Sequence, residues 1–225
     1  MSNSFILGAY WGSRSESLNE VKLKVTKTLE GLSQIDNQFT SWYETGASRE
    51  KALKRKVDPS DNNFIEKLCL QQVKKGELNE QSLSKMGFLF SLWTGHGNNE
   101  SSSITFIVGS SSKWLTNSCV VSIPSTGVAR ERLLKSQKAK SIISLLVEIW
   151  APDYAVLTSD HLRDVLQTGN KIGWITCHRY IRQIPKMSRH ISYQKEGENH
   201  WFNLNSEEDY DINMSRYLLS LKEIL

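Results

Sequence analysis

The chain has 225 residues, 39% hydrophobic and 23% charged, which suits one large domain with a real core or two small ones. Its net charge of +4 and pI of about 8.9 permit nucleic-acid binding without requiring it. No apolar run reaches the roughly 18–20 residues of a membrane span, no basic-then-apolar leader opens the chain, and three scattered cysteines (Cys69, Cys119, Cys177) give neither a disulfide framework nor metal-ligand spacing; the expected location is the cytoplasm.

The first element is an apolar, aromatic strand from Phe5 to Trp11, running through Gly8 and Gly12 to Ser13-Arg14. Ser15-Glu16-Ser17 predicts a helix start, with Ser15 capping the free amides and Glu16 at the positive end of the dipole. Leu18, Val21, Leu23, Val25, Leu29 and Leu32 carry that helix to about residues 31–33. Phe39, Trp42 and Tyr43 predict a short second helix ending at Gly46. Asp58-Pro59-Ser60 is a turn that starts a further helix reaching towards Gly76.

From about Met86 the period becomes strand-like. Residues 88–93, 104–108 and 119–123 read as strands separated by Ser/Asn/Gly-rich loops, the pattern of an antiparallel meander. Residues 130–150 predict the longest helix, stopped by Pro152. A strand over 154–157, a helix capped by Ser159, a strand over 172–176 and a hairpin joining 190–193 to 200–204 follow. Ser206-Glu207-Glu208-Asp209 predicts the start of a final helix. The expectation is a single α+β domain over residues 1–225: a mainly antiparallel sheet of about six to seven strands with helices packed against it.

No catalytic constellation stands out. Gly95-His96-Gly97 lacks the rest of a phosphate loop and reads as a turn. The five histidines have no metal-ligand spacing, and Ser110-Ser111-Ser112-Lys113 lacks the partners of a serine–lysine catalytic set. Asp153, Asp160 and Asp164 read as capping or solvated carboxylates. Arg130, Arg132, Lys135, Lys138 and Lys140 could touch phosphates but read first as a solvated helix face. Residues 91–193 carry 12 Lys/Arg against 6 Asp/Glu, whereas residues 194–225 carry 3 against 7. The acidic cluster Glu207, Glu208, Asp209 and Asp211 fits a helix N-terminus or a patch that docks a basic partner. These features describe a binding protein better than an enzyme, with neither metal nor cofactor expected.

The string Gly8-Ala9-Tyr10-Trp11-Gly12-Ser13-Arg14 resembles the opening of the immunity protein 52 family of bacterial polymorphic-toxin systems. The resemblance continues in order through Ile35-Asp36, Phe39 and Trp42-Tyr43, then Ser48-Arg49 with Ala52-Leu53. It extends to Met86-Gly87-Phe88, Leu92-Trp93 and Gly95 (with Thr94 where asparagine is usual), then residues 150–156 and Gly173-Trp174-Ile175-Thr176. It implies an antidote that binds a secreted toxin stoichiometrically, often a restriction-endonuclease-like nuclease, including effectors of type VI secretion. A nucleic-acid-binding accessory protein and an unrecognised enzyme are the competing readings.

The basic net charge argues against mimicry of DNA by the whole chain. Toxin contact is expected instead on the acidic 194–211 region (with Glu207, Glu208, Asp209 and Asp211), on exposed indoles, or on the loops 95–103, 109–117 and 195–199. Tyr10, Trp11, Gly12, Arg14, Trp42, Trp93 and Trp174 are expected to build the scaffold.

Overall fold

The structure is a computed structural model and describes residues 4–74, 77–97, 99–167, 171–184, 189–204, 217–218 and 221. The acidic cluster Glu207, Glu208, Asp209 and Asp211, and the final helix expected around it, lie outside the described residues.

The opening strand, β1 (Phe5–Trp11), sits in the middle of the sheet. It is flanked by β6 (Asn117–Ser122) and β7 (Tyr154–Ser159), both antiparallel to it. Outward from β6 come β5 (Ser103–Val108), β4 (Phe88–Trp93), β2 (Trp42–Glu44) and β3 (Lys56–Val57). Outward from β7 come β8 (Ile175–His178), β10 (Asn199–Leu204) and β9 (Ile191–Glu196). All ten strands form one antiparallel sheet. That exceeds the expected six to seven; β2 and β3, of three and two residues, are too short to show alternation in sequence.

Alternation explains the layering. Phe5, Leu7, Ala9 and Trp11 of β1 face the long helices α1 (Leu18–Ile35) and α5 (Ser136–Trp150), with Trp11 stacked on Trp150 at 5.3 Å. Phe88, Phe90 and Leu92 of β4, and Ile104, Phe106 and Val108 of β5, continue the same buried layer. The helix α3 (Asn62–Leu70) packs beside α1.

Several boundaries differ from the sequence reading. Ser17, not Ser15, caps α1: its Oγ accepts from the Glu20 N–H while Glu20 returns the bond to the Ser17 N–H at 2.7 Å, a capping box. The helix runs past Gly31, where a Cβ would lie 2.6 Å from Leu145 Cδ1, so this glycine permits close approach of α1 to α5. The expected helix through Phe39 and Trp42 is a 3-10 turn (Asn37–Phe39) followed by strand β2. Trp42 and Glu44 must point inward together, which a period of two achieves and a helix does not.

The expected single helix over 130–150 is two, α4 (Val128–Leu133) and α5, with the break at Leu134-Lys135, so α1 is the longest helix among the described residues. The helix starting after Asp58-Pro59-Ser60 stops at Leu70 instead of Gly76, and the strand expected over 172–176 shifts to β8. Helices α2 (Arg49–Leu53) and α6 (Asp160–Leu166) are short, each capped by a serine, Ser48 and Ser159.

The basic residues of α4 and α5 do not form a free stripe. Arg132 grips the buried Asp36 carboxylate through two bonds of 2.7 and 2.8 Å and reaches Asn37 Oδ1 at 2.7 Å. Lys138 donates to the Ile35 carbonyl at 2.5 Å, Arg130 to the Pro124 carbonyl at 3.0 Å, and Lys140 lies over the Trp201 ring at 5.8 Å. Arg132 and Lys138 thereby clamp the C-terminus of α1, where positive charge is stabilising. Burial alone would raise the Asp36 carboxyl, but the Arg132 bond, the Gln38 N–H and the charges of Arg132 and Lys138 hold it below its ordinary value.

Candidate functional site

The antiparallel register sorts the loops into two groups. At the end where β1 finishes lie residues 12–17, the β5–β6 loop, the turn before β7, the exit from β8 and the β9–β10 turn. At the other end lie the β4–β5 loop, residues 123–127 and the start of α6. The three loops singled out from sequence therefore do not share one surface: 109–117 and 195–199 lie at the first end, and 95–103 at the opposite one.

Four of the scaffold residues, Tyr10, Trp11, Gly12 and Arg14, gather at that first end. Tyr10 folds back over Gly8, where a Cβ would sit 2.5 Å from its hydroxyl, and stacks on Tyr154 at 5.0 Å. Tyr154 stacks in turn on His178 at 5.4 Å. Trp11 is buried beneath Trp150, with the Arg14 guanidinium 5.5 Å from its ring. Arg14 donates to the carbonyls of Trp150 at 2.6 Å and Ala151 at 2.8 Å, capping the end of α5. Gly12 donates its N–H to Asp153 Oδ2 at 2.8 Å.

The remaining scaffold tryptophans lie elsewhere. Trp42 stacks on Phe39 at 5.8 Å, and Trp174 on Phe5 at 5.3 Å. Trp93 is half-buried and donates to the Glu44 carbonyl at 3.1 Å.

The same short segment, Gly12-Ser13-Arg14, braces the β5–β6 loop. Arg14 N–H donates to the Ser110 carbonyl at 2.9 Å, and Ser13 Oγ to the Ser111 carbonyl at 2.6 Å. Asn117 joins the two segments: its Nδ2 donates to the Gly12 carbonyl at 2.7 Å and the Ser110 carbonyl at 3.0 Å, while its Oδ1 accepts from Ser110 N–H at 2.8 Å. Ser110 Oγ donates to the Lys85 carbonyl at 3.1 Å, and Ser112 Oγ accepts from Trp114 N–H at 3.3 Å. What this loop presents is the indole of Trp114, 84% exposed, with Lys113 Nζ 5.1 Å from the ring centroid. Nearby in the fold are exposed Met86 and, at the exit of β8, Tyr180, which lies under the Arg179 guanidinium at 5.7 Å.

Sequence reasoning named this loop but not its indole, and it missed Asn117 and Asp153 as braces. The serine run before Trp114 was the available signal, because serine hydroxyls hold loops through local backbone bonds.

His178 has a measurable consequence. Burial, helped by the charge of Lys171 and by His200, pulls its imidazole down to about 4, against the opposing bond to the Lys171 carbonyl. A histidine whose folded value is depressed stabilises the fold above its unfolded value of about 6.5 and loses that contribution as pH falls towards 4. The melting temperature is expected to fall between pH 6.5 and 4 by an amount equivalent to about 3 kcal/mol, and His178→Gln is expected to flatten this part of the profile.

Among the described residues, no three His, Cys, Asp or Glu side chains could hold a metal together, and no helix is long and apolar enough to cross a membrane. The three cysteines are buried thiols, with Cys69 and Cys177 each pushed up to about 12 by burial. The site offers a rigid, aromatic and cationic rim suited to contact with a macromolecule.

Comparison with known proteins agrees with this character. The chain matches the family Immunity protein 52 over residues 3–191. No curated protein matches it in sequence. Its fold is similar to that of a Pseudomonas aeruginosa T6SS protein, with a TM-score of 0.55 and 12% identity, covering 99% of this chain and 73% of that one; at this identity the likeness concerns the fold alone. The chain belongs to the immunity protein 52 family, and as an immunity protein it neutralises a cognate toxin.

Proposed function

We propose that this immunity protein neutralises a restriction-endonuclease-like nuclease delivered by type VI secretion, through one-to-one contact in the cytoplasm of the producing cell. Family membership is the observation that carries the reading. The fold likeness to a protein named for the T6SS supports the secretion route. The competing nucleic-acid-binding reading rests on the pI and on the basic helix, and the helix cations Arg130, Arg132 and Lys138 are spent on carbonyls and a carboxylate of the chain itself.

The test is co-expression with the C-terminal domain of the toxin encoded beside this gene. Survival, intact cellular DNA and a co-purified one-to-one complex are the expected results. Rescue from a toxin that leaves nucleic acid intact overturns the nuclease assignment.

The acidic residues Glu207, Glu208, Asp209 and Asp211 are proposed to contribute attraction to this contact. Glu196 and Glu198, which belong to the same acidic 194–211 region, lie on the β9–β10 hairpin at the end of the sheet where β1 finishes. Reversing all four charges is expected to slow association about tenfold at low salt, with a smaller effect as salt rises. Unchanged association kinetics at low salt remove the patch from the interface.

A further inference from the structure

We propose that the toxin docks on the end of the sheet where β1 finishes, and that Trp114 is the anchor it buries, in an apolar pocket bordered by carboxylates on the toxin. This rests on the immunity reading above and adds to it the surface and the chemistry of the partner.

Three independent observations point there. First, of the seven tryptophans, Trp11, Trp42, Trp150, Trp174 and Trp201 are buried and Trp93 is half-buried; Trp114 alone stands free in water. The fold gains nothing from an indole held out at 84% exposure, whereas a partner gains a large apolar area by covering it.

Second, the loop is pre-organised. Ser13, Arg14, Asn117 and Ser112 hold its backbone through the bonds of 2.6–3.3 Å described above. A loop ordered before binding loses little entropy on binding, which is how a single aromatic becomes a strong anchor. The family's opening segment thus acts at a distance, as a brace for the loop beside it.

Third, the electrostatics select the partner's chemistry. Lys113 lies over the indole and Lys85 is exposed at the base of the same loop, while Arg179, over Tyr180, is paired with Glu198. Of the rim's carboxylates, Asp153 accepts from the Gly12 N–H, Glu198 is paired with Arg179 at 2.5 Å, and Glu196 is exposed on the β9–β10 hairpin, four strands along the sheet from the β6 side that carries Trp114. A surface that meets Trp114 therefore meets positive charge, and its complement is acidic. If the toxin cleaves nucleic acid, a cationic rim is repelled by a cationic substrate groove, so docking through Trp114 places the immunity protein beside that groove.

The experiment measures binding of the toxin domain encoded beside this gene, inactivated at its catalytic site, to wild-type, Trp114→Ala, Trp114→Phe and Lys113→Glu proteins. Melting temperatures are recorded alongside. Trp114→Ala is expected to weaken Kd at least about 30-fold with an unchanged melting temperature, as truncating a hot-spot residue does. Trp114→Phe is expected to recover much of the loss. Lys113→Glu is expected to slow association severalfold at low salt, with the difference shrinking as salt is raised.

Wild-type binding with Trp114→Ala within about threefold of it overturns the anchor while leaving the immunity reading intact. Faster association of Lys113→Glu overturns the acidic partner. A wild-type protein that neither binds nor protects overturns the immunity reading for that toxin, and this inference with it.

Discussion

Replacing Trp150 by alanine is expected to lower the unfolding free energy by about 4 kcal/mol, within the ~3–5 kcal/mol range for truncation of a fully buried aromatic. The side chain is buried between the sheet and α1. It stacks on Trp11 at 5.3 Å, tilts against Phe106 at 6.0 Å and donates its indole N–H to Thr28 Oγ1 at 3.0 Å. Its loss leaves a cavity at the meeting point of α1, α5 and the central strands, and Thr28 loses its donor. Trp150→Phe keeps most of the apolar volume but not the hydrogen bond, so it is expected to recover more than half of the loss. Urea unfolding at 25 °C measures both; a drop below about 1.5 kcal/mol for the alanine variant would show that the layers collapse to fill the space.

Gly173→Ala is expected to cost about 3 kcal/mol or more, although it adds one methyl group. A Cβ at this position would overlap the Leu157 carbonyl oxygen and lie 2.5 Å from Val156 Cγ2. Overpacking usually costs about 1–3 kcal/mol because side chains give way; here the obstructing atom is backbone in β7. Relief requires the 172–174 segment to move off β7, breaking the Trp174 N–H bond to the Leu157 carbonyl at 2.9 Å and disturbing the stack of Trp174 on Phe5. Gly97→Ala is the matched control: nothing lies within 4 Å of its Cβ position, so its effect is expected within about 0.5 kcal/mol. The comparison is read from the same unfolding curves, and equal effects at the two glycines would contradict the crowding argument.

The parts of the fold legible in the chain are those whose pattern is long enough to repeat. Strands β4 and β5 alternate over six residues, β1 is an apolar run of seven, and α1 and α5 carry apolar stripes over four turns or more. Strands β2 and β3, of three and two residues, carry no period. Trp42 and Tyr43 read as helix because two aromatics after Phe39 fit that spacing as well. Gly31 looked like a helix end and proved to be a point of close packing, a distinction that depends on Leu145, more than a hundred residues away.

The candidate site divides in the same way. Composition and order identified a binding scaffold and three exposed loops. Arg14 was visible as a motif residue, but not as the cap of α5 and the brace of the 109–117 loop, because its partners Trp150, Ala151 and Ser110 are remote in sequence. The cations of α4 and α5 looked solvated because a helix wheel does not show that Asp36 lies opposite them.

The α+β class, the order of the long elements, the buried aromatics and the family were legible in the chain. Those depend on local periodicity and on a string of residues read in order. The ten strands of the sheet among the described residues, the position of one of the three loops at the far end, and the bracing of the Trp114 loop by the opening motif emerge from the packed fold alone. Each of these depends on antiparallel register and long-range hydrogen bonds, which join segments that carry no mark of one another in the chain.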